Sequence, residues 1–383
     1  MRIAIVCSYY PWPPSVGGVE TIVRNVAIEL ARRGHEVHVV TTPFDVTTMK
    51  QVTDYSVEER NGVVIHKLKP GKIRIGYARV VKGLRETVEK IKPEIVHSHN
   101  LHPPLFQLTN WKRRLGYKLV AELHYPAIEL DFFIQKILLW PVMKMLKAVS
   151  KRIDVFIAHT QLERMWLERH GIDQRKVKVM FMPHINSSLL VYKSSISRNN
   201  YRVIFLGRVV PRKGVHILIK AFYNVKAQIP EAKLVIAGPE DPEYKEKLMK
   251  LVEKLSIVND AMFVGSVSEE EKIRLITTSR VFCLPALADY HPIVLIEAQA
   301  LGIPVIASKV GAIPEIVINK KTGILVEPGN VDETAKAIVT LLTDEKLWKE
   351  MSLNARAFAQ QFTLEKRVDK LEALYDNVLK QRS

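Results

Sequence analysis

The chain has 383 residues, 47% of them hydrophobic and 25% charged. This length suits two domains of about 150–200 residues, and the composition excludes a disordered or collagen-like protein. The formal charge of +17 is uneven, with 29 Lys/Arg against 17 Asp/Glu over residues 1–190 and 28 against 23 over 191–383, so the first half favours an anionic partner: a phosphate-bearing substrate, an acidic membrane surface or nucleic acid.

The opening segment RIAIVCS reads as a strand, followed by a turn-rich loop to Gly18, a helix over VETIVRNVAIELARRG and a second strand, HEVHVVTT. This βαβ unit is followed by short β-branched runs at EIVHSH, YKLVAEL and DVFIAHT, separated by helical stretches. A polar, pattern-poor segment, KSSISRNN (193–200), interrupts the alternation, which restarts with RVIFLG, KLVIAG, AMFVGS, RVFCLP, IPVIAS and GILVE. From Thr363 to Lys380 the spacing of Leu364, Val368, Leu371, Leu374 and Val378 predicts one amphipathic helix. The expected fold is α/β: two Rossmann-like domains with doubly wound parallel sheets, 1–192 and 193–362, facing a central cleft, with 363–383 packing back on the first. Cys7 and Cys283 lie in apolar runs and read as core residues. The N-terminus is too short in apolar length for a signal peptide and no run of eighteen apolar residues occurs, so a cytoplasmic protein is expected.

In such sheets ligands bind beyond the carboxyl ends of strands. After the strand RVIFLG, Arg208 and Lys213 flank a turn entering a helix, the kind of cation pair that neutralises a diphosphate leaving group. After RVFCLP, Asp289 lies in a loop and Glu297 in the following helix, where carboxylates can reach a sugar and ribose hydroxyls and free amides can meet phosphate. Spacing alone is equally compatible with solvated surface cations, an N-cap aspartate and a helix-face ion pair.

GRVVPRKG and DYHPIVLIEA, followed by LGIPVIASKVGAIPEIV, resemble the motifs of retaining glycosyltransferases of family four, a group with the two-domain GT-B fold that includes sucrose synthases and phosphatidylinositol mannosyltransferases. GGVETIVRNVAIELARRGHEVHVVT resembles the family's first Gly-Gly loop and helix, so the likeness runs over nearly the whole chain. The resemblance implies a hexose-type sugar moved from a nucleotide diphosphate sugar to a hydroxyl acceptor. Arg208 and Lys213 would hold the diphosphate with backbone amides near Ile293 and Val294. Glu297 would hold the ribose, Asp289 the transferring sugar, and Val264 and Gly265 in the loop Phe263–Ser266 the base. Gly17 and Gly18 would let the backbone approach the phosphate and acceptor. His124 matches a histidine near the sugar and His99 one lining the acceptor side.

Two departures mark the sugar-facing part: Asp289 replaces the family's usual Glu, and His291-Pro292 replaces Phe-Gly, making His291 a candidate sugar contact. No Asp-x-Asp pair occurs, so metal-independent transfer with no cofactor is expected. His97 and His99 would share one strand face, but without a third ligand at fixed spacing they do not define a metal site. His35 reads as structural. The family's proposed route retains configuration: the acceptor attacks the face that the phosphate leaves, and that phosphate takes the proton.

The acceptor is expected to be a glycan, a lipid or a lipid-linked sugar. Residues 127–152 combine Phe132, Phe133, Leu138, Leu139 and Trp140 with Lys136, Lys144, Lys147, Lys151 and Arg152, and WKRR (111–114) adds cations. They read either as an anionic-membrane contact on the inner face of the cell membrane or as the buried face of two helices broken at Pro141. The same fold and phosphate grip also suit a nucleotide-sugar epimerase, and the departures at Asp289 and Pro292 also suit a non-catalytic nucleotide-sugar binder. Nucleic-acid binding is not expected, because no aromatic-basic recognition motif accompanies the charge.

Overall fold

The computed structural model describes residues 1–383 except 10, 13–17, 46–49, 52–53, 76–77, 125–131, 182–184, 193–199, 290–291 and 382–383. It divides into two units, Met1–His184 with Leu364–Ser383, and Ile185–Thr363. The division falls eight residues before the position read from the sequence. Ile185 donates its N–H to the Phe362 carbonyl at 2.8 Å and Arg356 bonds the Leu190 carbonyl, so 185–191 are tied to the second unit.

The strands of the first unit are β1 (Arg2–Val6), β2 (Glu36–Thr41), β3 (Phe44–Asp45), β4 (Lys50–Gln51), β5 (Val57–Arg60), β6 (Val63–Lys67), β7 (Pro70–Ile75), β8 (Ala78–Val81), β9 (Ile95–His99), β10 (Lys118–Glu122), β11 (Val155–Ala158) and β12 (Val177–Val179). Eight of them form one sheet in the order β12-β11-β10-β9-β1-β2-β6-β5, parallel throughout except for the β5–β6 hairpin. Both faces are covered, which is why its central strands read as unbroken apolar runs rather than alternations. One face packs the helix Gly18–Arg32 and the C-terminal helix Leu364–Lys380, through Ile22, Val26, Leu30, Val368, Leu371 and Tyr375. The other packs the helices Leu84–Ile91, Pro103–Leu115 and Phe132–Val149. His35 joins the N-terminal amine (3.2 Å) to Glu372 (2.7 Å), a structural tie to the C-terminal helix.

The break expected at Pro141 does not occur: Phe132–Val149 is one helix with Pro141 inside it. Proline removes a single intrahelical N–H, and at this exposed position the vacated carbonyl can turn to water. Met143 and Leu146 face the core, while Trp140 and Met145 are exposed, with Lys144 Nζ lying 3.7 Å from the Trp140 ring centre.

The second unit carries β13 (Arg202–Leu206), β14 (Lys233–Ala237), β15 (Ala261–Gly265), β16 (Val281–Leu284), β17 (Val305–Ser308) and β18 (Gly323–Val326), all parallel, in the order β15-β14-β13-β16-β17-β18. The chain winds outward from β13 to β15, then returns to β16 on the other side. Loops after β13 and β16 therefore part in opposite directions and leave a crevice, the place where open α/β sheets bind ligands. In the first unit the equivalent point lies between β1 and β9, at whose carboxyl ends Ser8 Oγ meets His102 Nδ1 at 2.7 Å.

Candidate active site

The crevice of the second unit is built by close approach of two loops. After β13 the chain passes Gly207 and the exposed Arg208, makes a single 3₁₀ turn, Pro211–Lys213, and enters the helix Val215–Lys226 through Gly214. Gly214 has φ 73°, and a Cβ there would lie 1.9 Å from the Pro285 carbonyl oxygen in the loop after β16. Glycine alone permits both the left-handed turn and the contact. The loops are then bonded together, as Leu287 and Ala288 donate N–H groups to the Arg212 carbonyl at 2.8 and 3.2 Å. This junction brings Lys213 to Asp289: Nζ hydrogen-bonds the carboxylate, which is only 5% exposed.

The helix Ile293–Ala300 starts from Pro292 as its N-cap, so the proline sits one place before the first turn, and Leu295 N–H returns to its carbonyl at 3.0 Å. The amides of Ile293 and Val294 lie in that first turn, where helices have no internal acceptors. One turn on, Glu297 points to Lys272 Nζ at 2.7 Å. Burial raises the Glu297 pKa above the usual carboxylate range. Burial opposes charge on Lys272 as well, but the Glu297 and Glu269 carboxylates together outweigh it and raise the ammonium pKa. The ion pair is therefore not within one helix face: Lys272 comes from the separate helix Glu269–Thr277, in a stretch without motif character.

Val264 and Gly265 are the last residues of β15 rather than part of a loop. Gly265 has φ 77°, accepts a hydrogen bond from Gly238 N–H at 2.7 Å, and has open space where a Cβ would be. Gly18 begins the helix Gly18–Arg32. Gly17 and His291 lie outside the described residues.

In the first unit, the strand faces turned to the C-terminal helix are apolar at their start and polar at their carboxyl ends: Ile95–His97–His99, Val120–Glu122–His124 and Val155–Ile157–His159. Register places His99 beside Glu122. His99 Nδ1 and His124 Nε2 share a hydrogen bond of 2.7 Å with their rings stacked, and His159 stacks on the other side of His124. Glu122, at 0% exposure, pairs through Oε1 with Arg367 Nη2 of the C-terminal helix at 2.7 Å. Burial holds His99 and His124 neutral, well below the usual imidazole pKa. Burial would raise the carboxyl of Glu122, but Arg367 and the imidazoles override it and hold it well below the usual range. The third ligand missing from the sequence spacing is thus present in space: Glu122 completes one group with His97 and His99 and a second with His124 and His159. Sequence reading found His99 and His124 but not Glu122, His159 or Arg367, which sit in segments that look like plain strand and helix.

Two parallel-sheet units with these switch points have the GT-B fold. Residues 191–358 match the family Glycosyl transferases group 1 and residues 16–181 match Glycosyltransferase Family 4. The chain is 25% identical over 403 aligned positions to N-acetyl-alpha-D-glucosaminyl L-malate synthase of Bacillus anthracis, covering 99% of this chain and 98% of that protein. It is 27% identical to a phosphatidyl-myo-inositol mannosyltransferase of Mycolicibacterium smegmatis, over 91% and 86% of the two chains. Among solved structures, Anabaena HepE in complex with UDP-glucose superposes with a TM-score of 0.71 at 19% identity, over 98% and 99% of the chains. The chain belongs to glycosyltransferase family 4, of the glycosyl transferases group 1, and is a glycosyltransferase that takes its sugar from a nucleotide sugar.

Proposed function

We propose that this enzyme moves a hexose from a nucleotide diphosphate hexose to a hydroxyl acceptor with retention of configuration and without a metal. The observation that carries the reading is the junction at the second sheet's switch point, where Arg208, Lys213 and Asp289 lie on loops bonded to each other and Glu297 stands on the helix behind them. Arg208 and Lys213 neutralise the diphosphate, with the Ile293 and Val294 amides adding hydrogen bonds at a helix N-terminus. Glu297 accepts hydrogen bonds from the ribose hydroxyls, and the base lies against Val264 and Gly265. Asp289 and His291 contact the sugar; the family resemblance also assigns His124 to the sugar, and Gly17, Gly18 and His99 to the acceptor side.

Transfer then proceeds on one face. The acceptor oxygen bonds to the anomeric carbon as the bond from that carbon to the β-phosphate oxygen breaks. The acceptor proton passes to the departing phosphate, giving glycoside and nucleoside diphosphate. The cation pair stabilises the charge growing on the leaving group, which is where catalytic stabilisation counts. Calorimetric titration with UDP-, GDP- and ADP-sugars tests the donor site, with Arg208→Ala and Glu297→Ala as controls. The expected result is one favoured nucleotide and weaker binding in both variants; wild-type affinity in both would overturn the assignment.

An acceptor carried on an anionic membrane is supported by the exposed Trp140 and Met145 beside Lys144 and Lys147, and by Lys112, Arg113, Lys151 and Arg152 around a cavity of about 730 Å³ in the same unit. Among the described residues no helix is long and apolar enough to cross a membrane, so contact would be peripheral. Co-sedimentation with phosphatidylglycerol vesicles at low salt tests it, and recovery of all the protein in the supernatant would refute it.

A further inference from the structure

The histidine cluster stands at the carboxyl ends of the first unit's strands. At the opposite, amino ends of β10, β11 and β12 the unit opens on two cavities of about 730 and 630 Å³. Asp154 and Gln381 line both, so the two are neighbours. Lys118 begins β10, and a strand of five residues puts about 13 Å between that end and Glu122. The cavities are therefore separate from the polar strand ends that the family resemblance assigns to sugar and acceptor.

Three helix ends deliver cations to this foot of the sheet. The helix Pro103–Leu115 ends with Lys112 and Arg113, the 3₁₀ turn Ser150–Arg152 that follows Phe132–Val149 brings Lys151 and Arg152, and the C-terminal helix ends with Lys380. With Lys118, five cations line the larger cavity, and Arg175, Lys176, Lys178 and Lys380 line the smaller, against two carboxylates, Asp154 and Asp173. A cation at a helix C-terminus is ordinarily accounted for by the carbonyls it faces. That account does not supply the missing counter-charges. Asp154 already accepts from Lys112 Nζ and from the Leu119 N–H, both at 2.7 Å, and Asp173 from Arg175 at 2.7 Å. Lys176 Nζ donates to the carbonyls of Ser150, Lys151 and Ile153. Burial, and with it the charges of Lys112 and Arg175, lowers the Lys176 pKa in spite of Asp154. Among the described residues no carboxylate or hydrogen-bond acceptor meets the side chains of Arg113, Lys151, Lys178 and Lys380, and all four are exposed.

We infer that the foot of the first unit is an anion site for a phosphate group carrying two or more negative charges, a phosphomonoester or a diphosphate. Four exposed cations without a counter-charge attract such a group within the screening length, and the planar fork of Arg113 matches phosphate oxygens two at a time. A carboxylate, with a single charge, leaves most of the excess standing. The group has two sources, a soluble phosphate compound or the headgroup of an anionic lipid. The lipid source rests on the reading that the enzyme meets an anionic membrane; the soluble source does not.

Calorimetric titration with inorganic tripolyphosphate tests the soluble source, on full-length Arg208→Ala protein so that the donor crevice is weakened equally in every sample. Flotation with phosphatidylcholine vesicles containing phosphatidic acid tests the lipid source. Lys151→Gln/Lys178→Gln/Lys380→Gln removes three of the unpaired cations, and Lys69→Gln/Lys82→Gln/Lys90→Gln removes the same charge from exposed positions of the first unit that line neither cavity. In at least one arm the first triple variant is expected to bind about tenfold more weakly or worse, and the second to stay within about twofold of the parent protein. Loss in the tripolyphosphate arm assigns a soluble ligand, and loss confined to the vesicles assigns a lipid headgroup. Binding in neither arm would overturn the site, as would equal losses in the two triple variants, which show a response to net charge alone. Phosphatidylglycerol vesicles keep the membrane reading apart: if both triple variants still float with them while neither arm separates the two, peripheral contact stands and the site falls.

Discussion

Lys272 and Glu297 form an ion pair of 2.7 Å between two helices of the second unit, and each is about 15% exposed at the side chain. The ammonium compensates a carboxylate that burial alone would drive towards its neutral form. Lys272→Met is therefore expected to raise the Glu297 pKa further. If Glu297 holds the ribose, nucleotide affinity should fall by about tenfold (~1.4 kcal/mol) and weaken further as pH drops from 8 to 6. Calorimetry across that range checks this, and affinity within twofold of wild type at every pH would count against it.

Lys213 and Asp289 are expected to separate binding from transfer. Lys213→Ala removes a cation from the diphosphate and should weaken nucleotide binding by about tenfold or more. Asp289→Asn removes that cation's counter-charge, so nucleotide binding should hold or improve while kcat falls. Equal losses of affinity in the two variants would contradict the division of roles.

Gly214→Ala tests the loop junction. The added Cβ meets the Pro285 carbonyl at 1.9 Å on a backbone with φ 73°, so the loops must part. The expected cost is roughly 2 kcal/mol or more in urea unfolding of the second unit, with loss of nucleotide binding. Wild-type stability would show that the contact is easily relieved.

Acid should weaken the first unit before the second. Burial lowers the pKa of His102 to about 4, burial and the charge of His38 lower that of His66 to about 4, and His99 and His124 are held lower than usual by burial. The folded state binds fewer protons than the unfolded chain, whose histidines titrate at about 6.5. Stability is therefore complete above that pH and is lost as pH falls towards 4, by up to about 1.4 kcal/mol per pH unit at His102. In the second unit burial lowers only His216 among the described histidines, and the raised Glu297 works in the opposite sense, adding stability as it protonates. Urea unfolding at pH 7.5, 6.5 and 5.5 should show the two units drawing apart; parallel behaviour would contradict this.

The parallel sheets were legible because strands buried on both faces leave apolar runs such as RIAIV and RVIFL. The candidates Arg208, Lys213, Asp289 and Glu297 stood out because they lie in short motifs beyond strand ends, and Lys213 and Asp289 meet there. Partnerships across the fold were not: Glu122 and Arg367 are 245 residues apart, and neither stands in a pattern that names the other. Lys272 was hidden for the same reason, since it reads as one more cation on a solvated helix. Pro141 misled because a proline signals a break more strongly in sequence than on an exposed helix face.

The place of the C-terminal helix orders how the protein can be made. The second unit is one continuous stretch, Ile185–Thr363, whereas the first is made of two stretches, Met1–His184 and Leu364–Ser383, which the second separates. The first unit, although translated first, receives Arg367 and Tyr375 only from that last segment. Until that helix is made, Glu122 lacks its counter-charge and one face of the first sheet lacks part of its cover. The usual order of folding from the amino end is thus inverted: the second unit has all its strands before the first has its C-terminal helix.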